Sequence, residues 1–431
     1  MKLAEVIDSY VSGDWGNEEY SNESPNAVFC VRGADIVPIS NHSFNNIPKR
    51  YVSNRTIETK LLKEGDLVVE KSGGSPTQST GRVVYISKDL IENAGSIVCS
   101  NFCTAIRVKP EWNPLYVYYY WLNTYNRGVF FNFEGKTSGI KNLQMDNALS
   151  AIEIEYLPLE KQNEIVAILS AIDSKIAINR QINDNLEAMA KQLYDHWFVQ
   201  FDFPNEEGKP YKSCGGKMVW NEKLKREIPE GWNVVTLIDF AEIKNGATPS
   251  TANPLNYGGN IIWITPKDLS DQQSKFVYQG ERNISQLGYD SCSTNLLSAN
   301  SVLLSSRAPI GLVSIAMTEL CTNQGFKSLV PHDTNNSLYL YYYIKHHIKQ
   351  IEQLGTGTTF KEVSREDLCK FPILMPCNAL GYLQWVERMT QIADEQFILT
   401  KEIANLNKQR DELLPLLMNG QVSVNYHLSD D

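Results

Sequence analysis

No run of about eighteen apolar residues occurs, which excludes a membrane-spanning helix. The opening residues, MKLAEVIDSY, lack an apolar stretch behind a basic head, so a secretory signal is not expected and a cytoplasmic protein is. Metal-site spacing is missing as well. The eight cysteines (30, 99, 103, 214, 292, 321, 369 and 377) are scattered. The nearest pair, Cys99 and Cys103, has neither a second pair nor a flanking histidine pair, so reduced thiols are expected, mostly in a core. The six histidines (42, 196, 332, 346, 347 and 427) have no ligand spacing, and no metal or cofactor is expected. A surplus of positive charge is also absent: 40 Lys and Arg stand against 50 Asp and Glu, a net charge of −10. Charge alone therefore argues against an independent, tight nucleic-acid binder, which needs local basic patches or basic surface lent by another subunit.

Catalytic signatures are equally scarce. Gly135-Lys136-Thr137 lacks the upstream glycine of a phosphate-binding loop, because position 130 is Phe. No His-Glu-x-x-His, Gly-x-Ser-x-Gly or dinucleotide glycine fingerprint occurs. Asn113-Pro114-Leu115-Tyr116 and Asn253-Pro254-Leu255-Asn256 approach the Asn-Pro-Pro-aromatic motif of adenine methyltransferases. Both lack the second proline and a glycine-rich cofactor loop, and both are read as turns.

What the chain does contain is periodicity. Ile165, Leu169, Ile172, Ile176, Asn179, Asn183, Leu186, Ala190, Leu193 and Trp197 alternate steps of four and three, a heptad seam. Neither Gly nor Pro interrupts Glu160–Trp197, and Pro158 stands at the entrance, where a missing N–H costs nothing. A helix of about forty residues is roughly 60 Å long. One apolar stripe of that length cannot bury itself, so a partner is required. Trp385, Met389, Ile392, Gln396, Leu399, Ile403, Leu406, Arg410, Leu413 and Leu417 repeat the alternation. They predict a second helix over 382–418, with Pro415 bending or ending its last turn. An ordinary core helix is the simpler account of either stripe; two matched stripes favour a paired coiled coil. The polar seam positions Asn179, Asn183, Gln396 and Arg410 cost stability but fix register.

The flanking segments are β-rich and resemble one another. In the first, short β-prone runs recur at 27–32, 66–70, 81–86, 96–99 and 104–108, with a tight loop at Gly73, Gly74 and Pro76. A helix over 114–123, a loop over 135–143 and a short strand over 151–155 follow. Residues 201–228 read as a linker with a solvated run of charge. Residues 229–376 then repeat the order. Residues 264–269 face 31–36, 301–315 match 67–86, and 322–330 match 100–108. Tyr339–Tyr343 matches Tyr116–Tyr120, and 355–363 match 135–143. The tyrosine helices are expected in the core, the alternative being a tyrosine face against DNA sugar. A period of about 220 residues exceeds any solenoid repeat. It means two copies of one domain-plus-helix unit, diverged most in their globular parts.

Four stretches carry a family resemblance: Pro158–Leu169, Gln192–Pro204, Ile228-Pro-Glu-Gly-Trp232 and Leu413–Gly420. Through them the chain resembles the DNA-specificity (S) subunits of type I restriction–modification systems, over nearly its whole length and in order. One departure is Pro376-Cys-Asn-Ala-Leu380 in place of the Pro-Leu-x-x-Gln at Pro158–Gln162. It bears on the symmetry of a methyltransferase-docking surface near 376–384. The resemblance implies an α+β fold: two similar target-recognition domains separated by an antiparallel coiled coil of two long helices, in a pseudo-two-fold internal repeat. The divisions expected are 1–156, 157–200 (helix), 201–228 (linker), 229–376, 377–420 (helix) and 421–431 (tail). It also implies that the chain is not itself an enzyme. Each domain reads half of a split site in double-stranded DNA, and the helices act as a ruler between half-sites. The implied partners are two modification (methyltransferase) subunits and the restriction subunits.

DNA contacts are expected in the repeated loops. Arg307 follows a strand and can meet phosphate or a guanine edge; Lys71, Gly73, Gly74 and Arg82 hold the equivalent place. Lys136, Thr137, Ser138 and Lys141, with Thr356, Thr358, Thr359 and Lys361, form hydroxyl-and-lysine loops suited to backbone contact. Asn323 and Gln324 could read adenine. Competing readings are a stand-alone methyltransferase or nuclease with degenerate motifs, and an interaction scaffold with no DNA role.

Overall fold

Alternation of apolar and polar residues places side chains on opposite faces of a strand, and the first half of the chain uses both faces. The structure, a computed structural model, describes all residues except 76, 138–139, 358–360, 377–378 and 423–431. The chain divides into two units: residues 1–179 with 403–431, and residues 180–402.

In the first unit the strands Ile7–Ser12, Cys103–Val108, Leu67–Glu70 and Val83–Tyr85 lie side by side in that order, all antiparallel. Leu67 and Val69 enter one core with Trp112, Tyr116 and Trp121, while Val68, between them, enters a second with Ile86 and Leu90. A smaller sheet orders Lys49–Val52, Asn26–Val31 and Ile97–Cys99, the last pair parallel. The tyrosine helix Pro114–Asn126 closes one face. It starts there because the Asn113 side chain accepts from the amides of Leu115 and Tyr116, and Pro114 takes the first turn.

The second unit repeats this topology. Ala241–Asn245, Lys327–Pro331, Val302–Ser306 and Ile310–Ala316 keep the same order, with Phe276–Val277 added at the edge. Arg282–Ile284, Tyr257–Ile264 and Cys321–Thr322 repeat the small sheet, again antiparallel and then parallel. Its tyrosine helix is Ser337–His346, in which Tyr339 and Tyr341–Tyr343 are buried. In the first tyrosine helix Tyr116 and Tyr119 are buried.

Some expectations needed correction. The strand predicted over 151–155 is not formed: helix Met145–Ala151 consumes its start, and only Glu153 bridges, singly, to Lys2. Residues 201–228 are also not a plain linker. Phe201 and Phe203 are buried in the second core with Trp232, and Met218–Asn221 pairs with Arg226–Pro229 as a hairpin. Burial of those rings anchors the segment, while Lys209, Lys217 and Lys225 remain exposed as expected.

The central helix runs Leu159–Tyr194 and finishes in a π turn, Asp195–Val199, instead of continuing as α-helix through Trp197. The amide of Gln200 bonds back to the Asp195 carbonyl at 2.8 Å. This widened turn accommodates two consecutive buried rings, Trp197 and Phe198. The distal helix runs Ala379–Met418 and continues three residues past Pro415. The carbonyl that loses a donor to this proline is that of Asp411, an exposed residue that water can satisfy, and the helix ends at Met418, the end expected from the heptad.

The heptad positions all face inward. Ile165, Leu169, Ile176, Trp197, Met389, Leu399, Leu406 and Leu417 are buried, and Ile172, Leu186, Leu193, Ile392, Ile403 and Leu413 are half-buried. Asp173 meets Arg410 in the first unit and Glu187 meets Gln396 in the second. An advance of fourteen residues on one helix (187 − 173) is a retreat of fourteen on the other (410 − 396), so the two helices are antiparallel. Of the cysteines, 30, 99, 103 and 321 are buried, 292 and 369 half-buried and 214 exposed; position 377 lies outside the described residues.

Candidate nucleic-acid interface

The loops singled out in the sequence come together through strand pairing. In the first unit Ser72–Gly73, Ile140–Leu143 and Glu134–Thr137 form a three-stranded sheet. Lys141 lies opposite Gly73 on one side and Lys136 on the other. Asn142 lies opposite Ser72, and the Leu143 amide donates to the Lys71 carbonyl at 2.7 Å. One small sheet thus collects Lys71, Gly73, Lys136, Thr137 and Lys141. Lys141 Nζ stands 3.0 Å from the Glu134 carboxylate and 5.1 Å from the Phe131 ring centre. Gly74 follows at φ +75°. Ser138 lies outside the described residues.

Arg82 turns inward. Its guanidinium forks onto Glu70 at 2.8 and 2.6 Å, with side chains 17% and 4% exposed. That bidentate pair outweighs burial and raises the arginine's already high pKa. Gly73 is held against the same carboxylate: at φ +146°, a Cβ would meet Glu70 Oε1 at 2.6 Å. Gly73→Ala is therefore expected to lower stability by about 1–3 kcal/mol, through backbone strain and displacement of the Glu70–Arg82 fork. Denaturant unfolding measures this; a loss within about 0.5 kcal/mol, ordinary for a surface substitution, would refute it.

The second unit builds the matching arrangement from different chemistry. The Val363 amide donates to the Ser306 carbonyl at 3.0 Å, and Glu362 bridges to Arg307 on one side and Thr356 on the other. Glu362 thus occupies the place of Asn142, and Arg307 that of Ser72. The Glu362 carboxylate lies 3.7 Å from Arg307 Nη1 and 3.1 Å from Lys327 Nζ. Ala308, next to Arg307, adopts φ +46°, a left-handed conformation that non-glycine residues rarely take. Lys361 is exposed beside them, and Thr358 and Thr359 lie outside the described residues. Lys327 was not anticipated. Its signal was a lone cation at the head of an apolar strand, Lys-Ser-Leu-Val. Asn323 and Gln324 are elsewhere engaged. Asn323 Oδ1 accepts from the Gly325 amide at 2.9 Å, and Gln324 Oε1 accepts from the Thr248 hydroxyl.

A second repeated feature lies on the long helices, of which the sequence marks only the polar seam positions Gln396 and Arg410. In the first unit Tyr119 donates its hydroxyl to Asp173 at 2.7 Å, and Arg410 reaches the same carboxylate at 3.2 Å. In the second, Tyr342 donates to Glu187 at 2.9 Å and Gln396 donates to it at 3.2 Å. The offsets are constant: 342 − 119, 396 − 173 and 410 − 187 are all 223. The second cluster also holds Lys275, whose Nζ lies 2.6 Å from the Tyr342 hydroxyl, 2.9 Å from Gln396 Oε1 and 3.4 Å from Glu187. Burial pushes the Lys275 ammonium down to about 8, with Glu187 opposing the shift. Burial would raise the Glu187 carboxyl, but Lys275 and Lys345 more than offset it, and the net shift is downward.

Among the described residues no group of three or more His, Cys, Asp or Glu could hold a metal ion, and no helix is long and apolar enough to cross a membrane. The family model for the type I restriction modification DNA specificity domain matches residues 4–188 and again 229–413. The chain is 38% identical over 166 residues to the type I restriction enzyme MjaIX specificity subunit of Methanocaldococcus jannaschii, covering 37% of this chain and 38% of that one. It is 24% identical over 456 aligned residues to the HindI specificity subunit of Haemophilus influenzae, covering 93% and 95%. The fold is shared, at a TM-score of 0.56 and 13% identity, with a crystal structure of a type I restriction–modification S subunit from M. genitalium, over 97% of this chain and 95% of that one. With the domain matched twice over most of its length, the chain belongs to the type I restriction modification DNA specificity family, and its role is DNA sequence recognition.

Proposed function

We propose that each unit reads one half of a split duplex site, and that two modification subunits and the restriction subunits supply the chemistry in the cytoplasm. In this reading residues 1–156 and 229–376 are the readers, helices 157–200 and 377–420 the spacer, 201–228 an anchored connection and 421–431 a tail. The observation that carries it is the repeated loop. One backbone scaffold presents Ser72 opposite Asn142 in one unit and Arg307 opposite Glu362 in the other. Conserved geometry with exchanged polar groups is what two readers of different sequences require. Lys71, Lys136, Thr137 and Lys141 form the first contact surface, and Arg307, Thr356 and Lys361 the second. Glu362 holds Arg307 and Lys327 in place of a phosphate until DNA arrives. Exposed Ile182, Met189 and Ile398 on the paired helices of the second unit offer apolar surface to a modification subunit.

The test is the salt dependence of duplex binding. With a net charge of −10, the lone subunit is expected to bind weakly, with a shallow slope of log affinity against log salt. The complex with modification subunits is expected to show a steeper one. In that complex Arg307→Ala should reduce the slope by about one. Equal slopes for subunit and complex would sink the shared-charge reading, and an unchanged slope and affinity in Arg307→Ala would sink the loop assignment.

A further inference from the structure

The second unit contains a cavity of about 430 Å³, within the range of small-ligand sites. It opens between the end of the central helix, the turn joining Met218–Asn221 to Arg226–Pro229, and the junction of helices Ser337–His346 and Ile348–Gln353. Lys223, Lys225 and Arg226 line it, and no carboxylate does. In a chain with ten more acids than bases, that local sign reversal needs a cause.

Arg226 supplies one. It is half-buried, and one N–H donates to the Val199 carbonyl at 2.7 Å. Its guanidinium carbon lies 4.5 Å from the Phe201 ring centre. Among the described residues it has no ion-pair partner, and burial lowers its pKa against the opposing pull of nearby phenols. A guanidinium carries five N–H donors, and a desolvated one without an anion is costly. Lys225 reaches Glu222 at 2.8 Å at the rim. Neutral aromatic rings also line the cavity. His347 Nδ1 lies 2.8 Å from the Tyr343 carbonyl, its ring stacks on Tyr343 at 4.1 Å between centres, and burial holds its pKa at about 4. Tyr194 and His346 continue that aromatic surface.

We propose that this cavity binds a small anionic molecule bearing a flat ring, a nucleoside phosphate, with Arg226 and Lys223 on the phosphate and the His347–Tyr343 stack against the ring. The volume suits a mononucleotide and is too small for a duplex, so the site is separate from the DNA-reading loops and does not rest on their assignment.

Titration calorimetry on the full chain tests it with three probes: ADP, pyrophosphate and adenosine. ADP is expected to bind saturably, and each fragment more weakly by about tenfold or more. Arg226→Gln should weaken ADP by about tenfold. Because Arg226 also bonds Val199, the exposed double variant Lys223→Ala/Lys225→Ala serves as a second arm; it should keep the wild-type melting temperature and lose ADP affinity severalfold. No saturable ADP binding, or wild-type affinity in the folded double variant, overturns the site. Pyrophosphate binding as tightly as ADP overturns the ring assignment. Displacement of ADP by specific duplex DNA overturns its independence.

Discussion

Glu187→Ala is expected to cost the folded protein about 3 kcal/mol, because it strands a buried ammonium. Lys275 is 7% exposed at its side chain, and Glu187, at 31%, is the carboxylate beside it. Removing that carboxylate also takes the acceptor from Tyr342 and one of the two acceptors from Gln396. Glu187 keeps some contact with water, so the estimate stands at the lower end for breaking a buried pair. Removing both charges in Glu187→Leu/Lys275→Met is expected to recover most of the loss, since the desolvation cost disappears with the ions. Denaturant unfolding of Glu187→Ala and of the double variant decides it. A double variant as unstable as Glu187→Ala would show that the loss is one of packing and not of charge.

The pH dependence has a definite sign. Lys275 in the folded chain has a pKa of about 8, below its free value of 10.5. Between those values the unfolded chain binds more protons, so stability rises with pH from about 8. The rise ends near pH 10, where unfolded tyrosines begin to ionise while the buried Tyr342 resists. On the acid side the depressed Glu187 gives stability present above its unfolded pKa and lost as pH falls through the folded one. In Glu187→Ala the Lys275 pKa falls further, so the rising segment should start at lower pH.

How much of this was legible in the sequence follows from what kind of signal each feature leaves. The long helices were plain because a heptad stripe is a local, periodic pattern, and every seam position does face inward. The internal repeat was plain because its strand and tyrosine blocks recur in order. Of the polar layers on the helices, the heptad marks Gln396 and Arg410 as seam positions but not their partners Glu187 and Asp173, although the offset of 223 is present. Asp173 with Arg410 and Gln396 with Glu187 keep a geometry while exchanging chemistry, and a search for matching residues cannot see that. Lys275 lies 88 residues from Glu187 and on no periodic stripe. The inward turn of Arg82 depended on Glu70, twelve residues earlier across a hairpin. Its charge suggests a surface role, whereas the fork leaves the side chain 17% exposed. Residues 201–228 looked like a linker because charge density outweighed two aromatic anchors in the composition.

The other large effect is confined to one unit. Trp385 is fully buried among Phe198, 4.9 Å away edge-on, Tyr382, stacked at 6.1 Å, and Tyr339 at 6.3 Å. Among the described residues its indole N–H has no hydrogen-bond partner. Trp385→Ala therefore loses packing and opens a cavity without breaking a polar contact, an expected cost of about 3–5 kcal/mol. Trp385→Phe keeps an aromatic in place and removes the orphaned donor, so its cost should stay below about 1.5 kcal/mol. All four rings belong to the second unit's core, and the first unit's core, built on Trp112, Tyr116 and Trp121, shares none of them. Differential scanning calorimetry should accordingly separate the effects. The transition of the second unit falls by roughly 10 °C at about 2–4 °C per kcal/mol, while that of the first stays in place. Equal displacement of the whole unfolding profile by Trp385→Ala would mean that the continuous helices couple the two cores into one cooperative block, and the independence argued from their separate residue sets would fail.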